Sequence, residues 1–130
     1  MFATVFLLLY VGHLLADYPF QTDHQAAHKA DPGRVGWRAN LNHASTHASI
    51  CGLALLTGMV FLDLHISTWS AYAALAWIGG THAFIDRRWP VRWWMHRFGQ
   101  SDWAANGGAA HVDQTAHITA LAFAALALAA

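Results

Sequence analysis

Four times in 130 residues, two metal-ligand side chains stand four apart: His13 with Asp17, His43 with His47, His82 with Asp86, and Asp113 with His117. On an α-helix, residues i and i+4 lie one above the other on a single face, close enough for both to reach one ion. Imidazole with carboxylate suits Zn, Fe, Mn or Ni. Five His and three Asp hold two ions with four ligands apiece, or one ion with the remainder around it. The expected cofactor is therefore a divalent metal, one or two ions, Zn first with Fe or Mn as alternatives. In a hydrolytic site such an ion lowers the pKa of its bound water to about 7, and two ions clamp the attacking and leaving oxygens. The chain has no Glu, so an HExxH arrangement is absent. The candidate catalytic base is then Asp17, Asp86 or Asp113, beside a histidine or a metal hydroxide. Gln21, Thr22, Thr46, Thr81 and Gln114 neighbour the pairs and can partner the second ring nitrogen of a ligating histidine. His24 and His28 are also four apart but lie among Asp, Lys and Gln, where solvated histidines are expected. His65, His96 and His111 are read as structural or exposed.

Each pair sits at the end of a strongly apolar segment, and those segments must position it. The chain is 56% hydrophobic and 11% charged, with seven Trp, whereas soluble domains carry roughly 25% charged residues. Mean hydropathy is only +0.30, depressed by ten His and ten Gly. Four spanning helices are expected at about 1–17, 42–62, 69–86 and 111–130, within a single integral membrane domain covering 1–130. The fold class is all-α: an antiparallel up-down four-helix transmembrane bundle, which builds metal sites from side chains on facing helices. The first segment, MFATVFLLLYVGHLLAD, lacks the basic start and cleavage site of a secretory signal and is expected to be a retained anchor. The short polar turn from Asp63 to Thr68 makes the second and third helices a hairpin. Ala48 with Gly52, Ala54 with Gly58, and Ala120 with Ala124 let helices approach closely within the chain or in a homo-oligomer. The single Cys51, in an apolar run, is expected to be a small core residue.

All seven basic residues, Lys29, Arg34, Arg38, Arg87, Arg88, Arg92 and Arg97, fall in the two long connections, 18–41 and 87–110. By the positive-inside rule both connections of a multi-pass protein are cytoplasmic and both termini outside. Trp37, Trp89, Trp93 and Trp94 flank the same connections, as interfacial aromatics do. Because helix direction alternates, all four ligand pairs then come to one depth, near the cytoplasmic boundary. Ionisable groups in spanning helices are costly and face the bundle interior or a wet cavity. Eight at one depth predict a shared site. Membrane lipid is the expected partner; seven basic against seven acidic residues leave no field for nucleic acid.

The strings HLLADYPFQTD (13–23), HASTH (43–47), THAFIDRR (81–88) and DQTAH (113–117) resemble a family of small bacterial and phage polytopic membrane proteins of unknown function. That family is in turn similar to membrane-bound metal-dependent hydrolases. The resemblance implies a polytopic protein of the bacterial inner (plasma) membrane with functional residues at His13, Asp17, His43, His47, His82, Asp86, Asp113 and His117, and brings no established substrate.

The favoured function is a metal-dependent hydrolase at the cytoplasmic face, acting on a lipid-linked or phosphorylated substrate. Arg87 and Arg88 directly follow the third pair, where guanidinium groups suit an anionic headgroup; they equally set topology after a spanning helix. The alternatives are a non-catalytic metal-binding or structural membrane protein of the phage or host envelope, and a membrane di-iron oxidase.

Overall fold

A computed structural model describes residues 1–130, all helix and turn. Helix α1 (Phe2–Asp17) carries no charge before Asp17 and stops just before Pro19. The short α2 (Asp23–His28) starts at a reciprocal cap. The Thr22 hydroxyl accepts from the Gln25 amide at 3.2 Å, and the Gln25 side chain accepts from the Thr22 amide at 3.0 Å. Helix α3 (Gly33–Phe61) follows Pro32, and α4 (Thr68–Ile85) is capped by the Ser67 hydroxyl, which accepts from the Ser70 amide at 3.1 Å. Helix α5 (Trp89–Arg97) follows Arg88, whose φ of 62° turns the chain. The short α6 (Ser101–Trp103) then runs through a kinked π-type turn (Ala104–Gly108, with Gly107 at φ 95°) into α7 (Ala109–Ala129).

The long helices pack in a ring: α1 against α3, α3 against α4, α4 against α7, and α7 back against α1. Every adjacent pair is antiparallel. Cys51 faces the Leu9 carbonyl while His43 faces Asp17. Asn40 donates to the Ala83 carbonyl, while Gly52 lies against Leu75. The Trp77 indole donates to the Ala120 carbonyl at 2.9 Å, fixing α4 on α7. One end of the ring is filled by Val5, Leu9, Cys51, Leu55, Ala74, Ile78, Leu121, Ala125 and Leu128. At the other end a smaller cluster, Ile85, Val91 and Met95, seats α5 beneath α4 and α7. The small residues are used inside the chain: Ala48 meets Gly79, and Ala120 and Ala124 are buried.

Two helices, Gly33–Phe61 and the continuous run Ser101–Ala129, are long and apolar enough to cross a membrane, and Phe2–Asp17 is a shorter apolar helix. Large apolar side chains cover the outside, among them Leu7, Val11, Leu53, Val60, Trp69 and Phe123.

The second long helix starts at Gly33, nine residues before the expected Asn42. Its first turns carry Arg34 and Arg38 outward, so no apolar run marks them. They hold because Gly36, Ala39 and Asn40 are buried. The connection 87–110 is likewise helical over much of its length, as α5 and α6.

Candidate metal centre

The antiparallel ring brings the four ligand pairs to one layer, between the apolar core and the α5 cluster. His13, Asp17, His43, His47, His82, Asp86 and His117 are all buried. Asp113 is at the margin, with a quarter of its side chain exposed and Oδ2 3.5 Å from His117 Nε2.

Two carboxylates organise the layer. Asp17 Oδ1 is met by His43 Nε2 and His47 Nε2, both at 3.1 Å, and by His82 Nε2 at 3.8 Å. Its Oδ2 faces His13 Nε2 at 3.2 Å and accepts from Gln114 Nε2 at 3.0 Å. Asp86 Oδ2 lies 3.1 Å from His82 Nε2, and Oδ1 lies 3.6 Å from His117 Nε2. The rings are packed on one another: His47 and His82 stack at 3.5 Å between centroids, and His82 and His117 at 4.1 Å. Helical spacing explains the pairs, and α3 adds Asn40, which extends the 43/47 stripe by one turn and ties α3 to the end of α4 through its 3.1 Å bond to Ala83.

Two groups can hold a metal ion: Asp17, His43, His47 and His82, and then His82, Asp86 and His117. Within each, the ligand atoms lie within 4.8 Å of one another. The donor chemistry fits a divalent ion. Nitrogens and oxygens bound to one zinc-type ion at about 2.0–2.2 Å stand about 3.0–3.5 Å from each other, and most of the contacts above fall there. His43 and His47 Nε2 to Asp17 Oδ1 also have hydrogen-bond geometry, but hydrogen bonding does not account for every contact. His82 Nε2 and Asp86 Oδ2 are 3.1 Å apart, yet neither makes a hydrogen bond of acceptable geometry. His43 Nε2 faces both an acceptor, Asp17 Oδ1, and a donor, Lys29 Nζ at 3.2 Å. One ring nitrogen has one role in a given tautomer, so both contacts cannot be hydrogen bonds. A cation bound by the His43 Nε2 lone pair and Asp17 Oδ1 would account for the first contact and leave the Lys29 ammonium, which has no lone pair, to Asp86.

The sequence reasoning missed Lys29 and understated Gln114. The Lys29 ammonium enters from the α2–α3 connection, 3.0 Å from Asp86 Oδ2. It arrives through tertiary folding, with no spacing relation to any pair. Gln114 binds Asp17 and accepts from His13 Nε2 at 3.1 Å, bridging a ring nitrogen and a carboxylate at the centre of the layer. The other suggested partners lie elsewhere: Gln21 donates to the Asp17 carbonyl, and Thr46 and Thr81 donate to carbonyls of their own helices. His24 and His28 stay outside the layer on α2, with His28 Nδ1 2.7 Å from Asp31 Oδ2.

Of the two arginines, Arg88 is exposed at the start of α5. Arg87 is occupied. Its Nη1 donates to the Lys29 carbonyl at 3.0 Å and its Nη2 to the Asp31 carbonyl at 2.7 Å, and the guanidinium lies 4.6 Å from the centre of the Trp37 ring. Those bonds fix the connection that carries Lys29.

No curated protein and no solved structure matches the chain. The family described as a protein of unknown function, DUF3307, matches residues 5–130, and the chain belongs to that family.

Proposed function

We propose that the protein is a divalent-metal centre held in a membrane-embedded four-helix bundle, and that it hydrolyses a lipid-linked or phosphorylated substrate at the cytoplasmic face. The observation that carries the metal reading is the convergence of five imidazoles on two buried carboxylates, with Nε2-to-oxygen separations of 3.1–3.8 Å. Seven buried ionisable or polarisable groups in one layer would be costly without a compensating cation. The membrane reading is supported by the two long apolar helices and by the apolar outer surface. The multi-pass arrangement rests on loop charge, since the α3–α4 turn has no basic residue while both long connections do.

A bound divalent ion would supply Lewis acidity toward a phosphoryl or carbonyl oxygen and toward water. The chain's own residues divide the remaining work. Asp17 and Asp86 are enclosed by histidines and hold the cations of the layer. Asp113 is the carboxylate with open access, its side chain 25% exposed against 7% for Asp17 and 2% for Asp86. It is the group suited to accept a proton from water as it attacks. Gln114 holds Asp17 and His13 in register. Transport fits less well, because the other half of the ring is filled by apolar side chains.

The test is an assay of detergent-purified protein against phosphoester and lipid-linked substrates with Zn, Mn or Fe added. Metal-dependent turnover lost in His82→Ala and reduced about 10²-fold or more in Asp113→Asn is expected. Turnover indifferent to both substitutions would contradict the hydrolase. One observation favours a non-catalytic metal-binding role instead, the near-complete burial of seven ligands. In that case metal is bound and no substrate on the panel is turned over.

A further inference from the structure

Lys29, the chain's only lysine, projects its ammonium into the metal-ligand layer although it belongs to the connection between α2 and α3. Nζ stands 3.0 Å from Asp86 Oδ2 and 3.2 Å from His43 Nε2, with 13% of the side chain exposed. Its backbone is fixed by Arg87, which follows Asp86 directly in sequence and donates to the carbonyls of Lys29 and Asp31. Gly36 packs so closely on the Asp31 carbonyl that a Cβ there would overlap it. The backbone that carries the ammonium is thus held from both sides.

On the metal-centre reading above, we propose that Lys29 occupies the second cation position, so that the protein takes one divalent ion, on the Asp17 half, and Lys29 sets that stoichiometry. Two arguments carry this. The first is place: Asp86, the carboxylate that with His82 and His117 would receive a second ion, is already ion-paired through Oδ2 with the Lys29 ammonium at 3.0 Å. The second is charge. Asp17, Asp86 and Asp113 contribute three negative charges, and histidines bind metal in their neutral form. One ammonium and one divalent ion balance these three charges, whereas a second divalent ion beside Lys29 leaves two positive charges uncompensated in a buried layer, which is strongly unfavourable. Removing the ammonium frees the carboxylate and lowers the excess charge of a two-ion layer from two to one.

The experiment measures zinc per chain in full-length protein purified in detergent, stripped with chelator, reloaded with zinc chloride and washed. Wild type is expected to retain about one ion, Lys29→Arg, which keeps the charge, about one, and Lys29→Met about two, a twofold rise. Two ions in wild type or in Lys29→Arg overturn the proposal, and these two measurements decide it even if Lys29→Met fails to fold. A folded Lys29→Met that stays at one ion overturns it as well. Absence of zinc from all three proteins overturns the metal-centre reading itself, a pattern distinct from every stoichiometry that bears on Lys29.

Discussion

Asp17 and Asp86 do what eight ligands read from spacing alone could not specify: they divide the histidines between them. The i,i+4 rule names residues that share a helix face, and all eight do reach the layer. It is silent on which face turns inward and on residues that come from elsewhere. Asn40 was within reach of the rule, one turn before His43. Lys29 was not, because its place depends on the α2–α3 connection folding back over the end of the ring. Gln114 gives the prediction that belongs at this scale. It donates to Asp17 and accepts from His13, so Gln114→Leu leaves the buried Asp17 Oδ2 without its amide donor. Loss of an outer partner of this kind typically costs 10–100-fold in metal affinity. Zinc affinity by competition with a chromophoric chelator is expected to drop by about that factor with helix content unchanged; unchanged affinity would remove Gln114 from the site.

At the scale of elements, the apolar segments announced the long helices, while the polar starts were hidden. Helix α3 begins at Gly33 because one face of its first turns is buried, through Gly36, Ala39 and Asn40, and not because those turns are apolar throughout. Helix α5 was read as connection for the same reason: arginines interrupt its apolar pattern, and only Val91 and Met95 are buried. Gly36 is where this joint is most sensitive. The Asp31 carbonyl occupies the space of a Cβ, and backbone cannot yield as a flexible side chain would. Gly36→Ala is expected to cost about 1–3 kcal/mol, as forced overpacking does, read as a lower Tm in detergent. An unchanged Tm would mean that α2 and α3 separate there without cost.

For the whole molecule, the all-helical architecture was legible from hydropathy, and the common depth of the four pairs followed from alternating helix direction. The outer surface is apolar, with Leu53, Val60, Phe61 and Trp69 exposed, which supports the proposed membrane setting. The protein is expected to leave membranes only with detergent. On the proposal that the long connections are cytoplasmic, His65→Cys in the α3–α4 turn is expected to be labelled by an impermeant thiol reagent from outside intact cells, and Arg97→Cys only after lysis. Native Cys51 is buried and should contribute little signal. The reverse labelling pattern would invert the orientation and move the layer to the opposite face. The central claim, that four helices assemble one metal centre, is tested most directly by the metal content of detergent-purified protein after stripping and reloading with zinc. Wild type and the His24→Ala control are expected to retain zinc, while Asp17→Asn and His82→Ala, on different helices, both lose it. Equal zinc in all four proteins, or none in wild type, would contradict the account.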